Sequence, residues 1–289
     1  MVAAAKGIHP SSVVDRHAEI ADGVEIGPFC HVHAGARIGA GTRLMSHVVV
    51  MGNATIGEAN VIYPFVVIGG DAQIRKASAR QQAAGVGNQA ESRASSAESR
   101  ERGRVEIGSH NTFRESVTVN VSSGESGQAT TIGSHNLFMA GCHVAHDVSV
   151  GSRCVIANGV QLAGHVAIED WVVFGGLAGV AQHLRVGESA FIAAGAMCER
   201  DVPPFVIAQG DRARVRAINA VGLERRGVPP ESILALRKAY AALWTANEAG
   251  FDHALRTIDR TDPWVAKLAG WLEDPIRRVR ASKRAQPIA

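Results

Sequence analysis

Four side chains capable of acid–base chemistry lie within 23 residues of one another. They are His143, His146, Asp147 and His165. A histidine titrates near neutral pH, and a neighbouring carboxylate can hold its ring in one tautomer, which a general base requires. Imidazoles and a carboxylate are also ligands that zinc accepts, including between two subunits of a trimeric protein. The segment therefore predicts either a general base or a zinc site, and the residues alone leave both open.

An apolar residue at every sixth position indicates the structural element that must position these side chains. The register runs from Ile8 to Ile68, from Ile107 to Val119 and from Ile132 to Cys198. A six-residue period predicts a triangular β-solenoid with three hexads per coil and about nine coils. The residue after the apolar one is often glycine, as at Gly27 and Gly133, and we expect it to turn the corner. The predicted fold class is mainly β, a left-handed parallel β-helix (hexapeptide solenoid) followed by a C-terminal α-helical domain.

Stacking of coils brings residues 18 apart in sequence to the same place on successive coils. His146, Gly164 and Gln182 share one such column, so two polar side chains flank a glycine, roughly 10 Å apart over two coil spacings. We expect a notch there with an accessible backbone. Asp147 shares a column with His165. A third column consists of small residues and predicts the floor of a shallow groove: Ala140, Asn158, Gly176 and Ala194.

Breaks in the hexads divide the chain. The β-helix domain is predicted over 1–204, with an inserted exposed loop at about 77–103, a second excursion at 120–130 and an end at the prolines of the Asp201-Val-Pro-Pro segment. The C-terminal helical domain is predicted over 205–289. Apolar spacing of three and four residues there predicts helices over 212–226, 229–247, 251–258 and 263–272.

Composition narrows the function classes. A net charge of +3 is too small to indicate nucleic-acid binding, and we expect no nucleic-acid partner. From residue 205 onward, however, fifteen Lys and Arg residues stand against nine Asp and Glu residues, including Arg277, Arg278 and Arg280 near the C-terminus, which predicts an acidic partner. The four cysteines form no CxxC pair, and no apolar run reaches a membrane-spanning length. We therefore expect reduced thiols in a cytoplasmic protein without a membrane span. The sequence contains no P-loop and no GxSxG motif.

Beyond these patterns, the chain resembles a known family, the UDP-N-acetylglucosamine O-acyltransferases of lipid A biosynthesis. The segments that carry the resemblance are IHPSSVV, IGPFC, LMSHVVVMG, RVEIGSHNTFRESVTV, GCHVAHDVSVG, LAGHVAI, DVPPFVIAQGD and INAVGLERRG. The resemblance implies a homotrimer with active sites between neighbouring prisms. It implies transfer of an R-3-hydroxyacyl chain from the phosphopantetheine of acyl carrier protein to the glucosamine 3-hydroxyl of UDP-N-acetylglucosamine, without a further cofactor or a metal.

The resemblance also implies roles for particular residues. His146 resembles the general base, Asp147 its orienting partner, and Gly164 the residue whose N–H stabilises the oxyanion. Ala194 corresponds to the acyl-chain ruler, where alanine implies an intermediate chain length. The implied substrate contacts are Gln73, Lys76, His143, His165, Gln182, Asn219, Arg225 and Arg226.

Two features keep alternatives open. Where the family reads QDLK, this chain reads Gln73-Ile74-Arg75-Lys76, so Ile74 replaces a carboxylate and a 3-amino UDP-sugar is a possible acceptor. The histidine cluster alone is also compatible with a trimeric solenoid zinc enzyme of the carbonic anhydrase type. A non-catalytic scaffold or sugar-nucleotide binding protein is the third interpretation, although a scaffold needs no polar notch.

Overall fold

The computed structural model describes residues 7–74, 103–124, 127–244 and 248–274. Short strands in this part of the chain form three sheets, which we call sheets 1, 2 and 3. Sheet 1 contains β1 (Val13–Val14), β4 (His31–Val32), β7 (Val49–Val50), β10 (Val67–Gly70), β13 (Thr118–Asn120), β16 (His143–Val144), β19 (Gln161–Leu162), β22 (Gly179–Val180) and β25 (Met197–Cys198). Sheet 2 contains β2 (Glu19–Ile20), β5 (Arg37–Ile38), β8 (Ala54–Ile56), β11 (Val105–Ile107), β14 (Thr130–Ile132), β17 (Ser149–Val150), β20 (Ala167–Ile168) and β23 (Arg185–Val186). Sheet 3 contains β3 (Glu25–Ile26), β6 (Arg43–Leu44), β9 (Val61–Ile62), β12 (Thr112–Phe113), β15 (Leu137–Phe138), β18 (Val155–Ile156), β21 (Val173–Phe174), β24 (Phe191–Ile192), β26 (Val206–Gln209) and β27 (Arg214–Ile218).

Consecutive strands pass from sheet 1 to sheet 2 to sheet 3 and back, so each circuit is one coil of a β-helix. The predicted register is confirmed: Val32 pairs with Val50, and Val144 pairs with Leu162, both 18 residues away. Pairing also continues across the insertion, where Ile68 lies beside Val119. The inserted loop at 77–102 lies outside the described residues, but the coils on either side of it stack directly on each other.

The interior of the prism is filled by the hexad residues. Phe113 and Phe138 stack with ring centroids 4.9 Å apart, and both are fully buried. Buried asparagines link three coils at one corner, because Asn111 donates to Asn60 and the Asn136 N–H donates to Asn111. These side chains satisfy corner amides that would otherwise be buried without an acceptor.

The explanation offered for the hexad glycines is wrong at most positions. Gly27 does not adopt the left-handed conformation, and a Cβ there would overlap the carbonyl oxygen of Met45 on the next coil. Glycine is therefore required by the close approach of neighbouring coils. The left-handed conformation falls two residues later and is adopted by non-glycine residues such as Phe29 and His47.

The end of the solenoid also differs from the prediction. Strand pairing does not stop at the prolines, since Val202 bridges Val186 and β26 pairs with β24 beyond them. The helix predicted over 212–226 is wrong in its first half, where β27 runs antiparallel to β26. Proline removes only its own N–H, and residues after it supply the donors that continue the sheet. The boundary at 204/205 stays a prediction, although sheet 3 extends past it.

Four helices follow in the described part of the chain. They are α1 (Ala220–Arg226), α2 (Pro230–Trp244), α3 (Glu248–Thr257) and α4 (Pro263–Glu273), close to the predicted helices. Gly227 ends α1 in the left-handed conformation, and Asp262 caps α4 by accepting from two backbone amides. Trp264 of α4 packs on Phe205 at 5.2 Å, which joins the helices to the last coil. None of the helices in the described ranges is both long and apolar enough to cross a bilayer.

Candidate active site

The predicted base and its carboxylate lie on the corner that joins sheet 1 to sheet 2. Val144 and Val148 on either side of them point into the prism and are fully buried. His146 and Asp147 therefore lie on the outer surface of the coil. Asp147 adopts a left-handed conformation with φ 59°, and its N–H donates to the Thr130 hydroxyl at 2.9 Å. That hydrogen bond fixes an otherwise strained backbone position.

His146 and Asp147 form a hydrogen-bonded pair. The Nδ1 atom of His146 lies 2.8 Å from Oδ2 of Asp147, and the Asp147 side chain is only 4% exposed. The Ser123 N–H donates to both oxygens of the same carboxylate, at 3.2 and 3.1 Å. Burial by itself raises the pKa of Asp147, but the hydrogen bonds from His146 and Ser123 and the nearby His165 hold that pKa below its usual value. An ionised Asp147 accepts the Nδ1 proton and leaves Nε2 of His146 with its lone pair, the tautomer that a general base needs.

The glycine of the predicted notch lies directly beneath this ring. A Cβ added to Gly164 would lie 2.6 Å from Cε1 and 2.7 Å from Nε2 of His146. The prediction of an accessible backbone is therefore wrong, because the imidazole covers Gly164 and buries it. Among the described residues the Gly164 N–H has no acceptor. The imidazole of the predicted base therefore packs against the residue whose backbone N–H has no acceptor.

His165 completes a cluster around the carboxylate. Its Nε2 atom lies 3.6 Å from Oδ2 of Asp147, and its ring meets the His146 ring edge-on at 5.2 Å. The next ring in the column, His183, stacks on His165 at 4.4 Å. Sequence reasoning missed His183, although the spacing of 18 from His165 was a sufficient signal. One nitrogen of each of His146 and His165 and one oxygen of Asp147 all lie within 4.8 Å of one another, so this cluster could hold a metal ion.

His143 and Cys142 are adjacent in sequence, but their side chains lie on opposite faces of the coil wall. His143 lies on the outer face of sheet 1 with Nδ1 2.8 Å from the Thr118 hydroxyl. Burial lowers the pKa of His143, and the nearby His146 lowers it further, so the ring is neutral at pH 7. Cys142 points into the prism, and burial raises the pKa of its thiol. A protonated, buried thiol is a poor nucleophile.

The predicted sugar contacts before the insertion are placed only in part. Gln73 is exposed, Ile74 is half-buried, and Lys76 lies outside the described residues. The Asn120 side chain donates to the Asp71 carbonyl at 2.7 Å. Because Asn120 leads directly to Ser123, the segment that bears Gln73 adjoins the segment that holds the Asp147 carboxylate. Gln182, one coil beyond Gly164, is exposed on the same corner.

Known proteins share both the repeat and this overall structure. A model of bacterial transferase hexapeptide repeats matches residues 17–52, 35–70 and 129–164, and one described as UDP-N-acetylglucosamine O-acyltransferase, domain 2, matches residues 201–282. LpxA from Acinetobacter baumannii is 34% identical, with a TM-score of 0.80 over 92% of this chain and 96% of that one. UDP-N-acetylglucosamine acyltransferase from Francisella novicida is 31% identical, with a TM-score of 0.79 over 93% and 92%. The chain belongs to the UDP-N-acetylglucosamine acyltransferase family.

Membership in the UDP-N-acetylglucosamine acyltransferase family confirms the resemblance. Together with the three parallel sheets, it also confirms the predicted β-helix followed by C-terminal helices. A curated relative, acyl-[acyl-carrier-protein]--UDP-N-acetylglucosamine O-acyltransferase from Xylella fastidiosa, is 46% identical over 147 residues. That alignment covers 50% of this chain and 56% of the relative, so the chain spans little more than half of that protein's length there.

The family's predicted nucleotide contacts are not brought to His146 within one chain. Asn219 is the N-cap of α1, and Arg226 is the last residue of that helix. Both pack at the corner between sheets 2 and 3. Asn219 donates to the Ser189 carbonyl and accepts from the Gly222 N–H. Arg226 pairs with Glu188 and lies between the rings of Trp171 and Trp264, at 5.1 and 4.9 Å. Arg225, in contrast, is exposed.

The predicted acyl-chain ruler lies at the third corner, between sheets 3 and 1. Ala194 is exposed, and Gly176 on the preceding coil leaves the surface beside it low. The outer face of sheet 1 between this corner and His146 bears mostly small side chains: Ala145, Ala163, Gly179 and Ala181. The same face also bears the longer side chains of Gln161 and Met197, and Met197 lies over Gly179, so a groove from the histidine cluster to Ala194 stays a prediction.

Proposed function

We propose that the protein transfers an R-3-hydroxyacyl chain from acyl carrier protein to the glucosamine 3-hydroxyl of UDP-N-acetylglucosamine, the first step of lipid A synthesis. The observation that carries this proposal is the arrangement of Asp147, His146 and Gly164 in a member of this family. The carboxylate fixes Nδ1 of the imidazole, and Nε2 lies beside an amide donor that has no other acceptor in the described part of the chain.

The proposed reaction uses each of these groups in turn. Nε2 of His146 takes the proton of the sugar 3-hydroxyl as its oxygen attacks the thioester carbonyl, and Asp147 stabilises the imidazolium that forms. The Gly164 N–H donates to the tetrahedral oxyanion, an interaction that can lower the barrier by about 3 kcal/mol. Collapse of the intermediate breaks the C–S bond, and the imidazolium returns the proton to the phosphopantetheine thiolate. His143, His165 and Gln182 line the surface where the sugar would lie.

The remaining predicted contacts support a homotrimer. Asn219, Arg225 and Arg226 lie at a different corner from His146, so a single chain cannot present both groups to one nucleotide. In a trimer, the α1 corner of one prism can face the His146 corner of the next and supply Arg225 to the diphosphate. Guanidinium groups bind such oxygens bidentately.

The proposal is tested with the purified full chain, an R-3-hydroxyacyl carrier protein and UDP-N-acetylglucosamine. Mass spectrometry should show a sugar nucleotide heavier by one hydroxyacyl group, and the product should lose that group in mild alkali because the new bond is an ester. A product formed only from the 3-amino UDP-sugar, and stable in alkali, would instead support the amide-forming alternative that Ile74 motivates. The absence of product with either acceptor would contradict the proposal.

The acyl-chain ruler gives a prediction about specificity. The Ala194→Gly substitution removes a methyl group from the exposed floor of the predicted groove, so we expect the preferred acyl chain to become longer by about one or two carbons. Competition among carrier proteins charged with chains of graded length measures the shift. Ala40→Gly, which removes the same methyl group from an N-terminal coil, should leave the preference unchanged. An unchanged preference in Ala194→Gly would refute the role of Ala194.

The hydroxyl of Thr130 gives a prediction about positioning. Thr130→Val keeps the shape of the fully buried side chain but leaves the Asp147 N–H without its acceptor, so the His146–Asp147 pair should loosen. We expect kcat to fall about 10-fold and KM for the sugar nucleotide to stay near its original value, since a lost buried hydrogen bond costs about 1–3 kcal/mol. Steady-state kinetics measure both constants, and Thr130→Ser should restore kcat.

A second buried threonine provides the matched control. Thr42 accepts the N–H of Asn60 at 3.1 Å and is equally buried, but it lies far from the site along the chain of coils. Thr42→Val should lower the thermal midpoint about as much as Thr130→Val does, but it should leave kcat unchanged. If both valine variants lost activity equally, Thr130 would have only a structural role.

A further inference from the structure

The cluster at the corner between sheets 1 and 2 has the composition of a zinc site as well as that of a base. One ring nitrogen of His146, one ring nitrogen of His165 and one carboxylate oxygen of Asp147 lie within 4.8 Å of one another. Two imidazoles and a carboxylate are a ligand set that zinc accepts, with a fourth position left to water. Because all three residues lie on adjacent coils, the rigid prism presents them together.

We propose that this cluster binds one Zn²⁺ ion per chain and that the bound ion blocks acyl transfer. The blocking step rests on the proposed function, whereas the binding step does not. Zinc would act here as a reversible inhibitor of a metal-free enzyme, which differs from a zinc enzyme that needs its metal for chemistry.

The distances support binding with small adjustments. Ligand atoms of a tetrahedral zinc site with bonds of about 2.0–2.1 Å are separated by about 3.3 Å. The separation between His165 and Asp147 is already 3.6 Å, and the separation between His146 and Asp147 is 2.8 Å. The first pair must close slightly and the second must open by about half an ångström. The two ring nitrogens lie within 4.8 Å of each other, so they must approach by up to about 1.5 Å, which rotation of the two rings can supply.

The surroundings supply a second shell of the kind that metal ligands use. The Ser123 N–H donates to the Asp147 carboxylate and keeps it ionised and oriented. His183 stacks on the His165 ring at 4.4 Å and restricts its rotation. Such outer contacts fix ligand orientation and raise affinity.

Binding would disable the base by a simple exchange. Zinc takes the lone pair of Nδ1 of His146, and the proton that Nδ1 donated to Asp147 moves through water to Nε2. The neutral, metal-bound ring then carries its proton on Nε2 and has no lone pair left to accept the proton of the sugar hydroxyl. Asp147, now bound to the metal, no longer stabilises an imidazolium.

Equilibrium dialysis of the untagged full chain against zinc chloride tests the binding step. We expect one zinc ion per chain and at least a 10-fold weaker affinity in His165→Gln, since one of three protein ligands is lost. His17→Gln is the matched control, because His17 is also exposed and lies 3.0 Å from an aspartate, Asp15, but it belongs to the first coil, far from the cluster. Equal zinc binding by all three proteins, or no stoichiometric binding, would overturn the proposed site.

The inhibitory step is measured separately with the wild-type chain. Zinc chloride should abolish product formation at about one equivalent per chain, and addition of EDTA should restore the full rate. Full activity at saturating zinc would overturn the inhibition while leaving the dialysis result intact. If the zinc-free protein forms no product at all, the proposed function fails, and the binding result still decides whether the site exists.

Discussion

Replacing His146 with alanine is expected to lower kcat for acyl transfer by at least about 100-fold, and by up to about 10,000-fold, while the solenoid stays folded. The loss is large because no other described group combines a fixed tautomer with a position beside a free amide donor. The 100-fold minimum corresponds to about 2.7 kcal/mol of transition-state stabilisation.

The fold should tolerate this change because the ring makes no contact inside the prism. Its neighbours are Asp147, Gly164 and His165, all on the outer surface of the corner. Single-turnover rates with a hydroxyacyl carrier protein measure the chemical step, and circular dichroism measures the thermal midpoint. His17→Ala serves as the control, since it removes an exposed histidine that lies 3.0 Å from an aspartate, Asp15, on the first coil, and it should keep the original rate. Near-normal turnover in His146→Ala would remove His146 from the mechanism.

The coils of the fold were predictable from the sequence because each one repeats the same local packing problem. An apolar residue every sixth position fills the same place in the prism, so the register could be read without knowledge of distant contacts. The segment Arg212–Ile218 lacks this repetition. Its apolar residues are spaced as on a helix, but pairing with β26 makes it a strand, a tertiary contact that local spacing does not report.

The site was predictable to the extent that it follows the columns. The spacing of 18 placed Asp147 beside His165 and His146 beside Gly164. It could not identify Ser123 or Thr130 as partners of Asp147, because both contacts arise next to the second break, where the spacing is 24 and 17 residues. Nor could it show that the imidazole covers Gly164, since that depends on a side-chain torsion. The roles of Asn219, Arg225 and Arg226 stay predictions for a different reason, because they require contacts between chains.

The contact between His146 and Gly164 gives the second large prediction. Gly164→Ala should lower kcat by about 100- to 1,000-fold, a loss of the size expected when a catalytic group and its oxyanion donor no longer act together. The added methyl would lie 2.6 Å from Cε1 of the imidazole, well inside contact distance, so the ring must move off the glycine and weaken its bond to Asp147. The backbone N–H itself is retained, so the variant tests the fit of the ring over the glycine.

Two comparisons separate this explanation from general damage. Gly270→Ala in α4 adds the same methyl where no atom lies within 4 Å, and it should preserve kcat and stabilise the helix by up to about 1 kcal/mol. The double variant of His146→Ala and Gly164→Ala decides the mechanism. If the methyl acts by displacing the imidazole, the double variant should be no slower than His146→Ala alone, because residues that act as a unit are not additive. Fully multiplicative losses would show that Gly164 acts independently of the His146 ring, and a normal rate in Gly164→Ala would show that the two need not fit together.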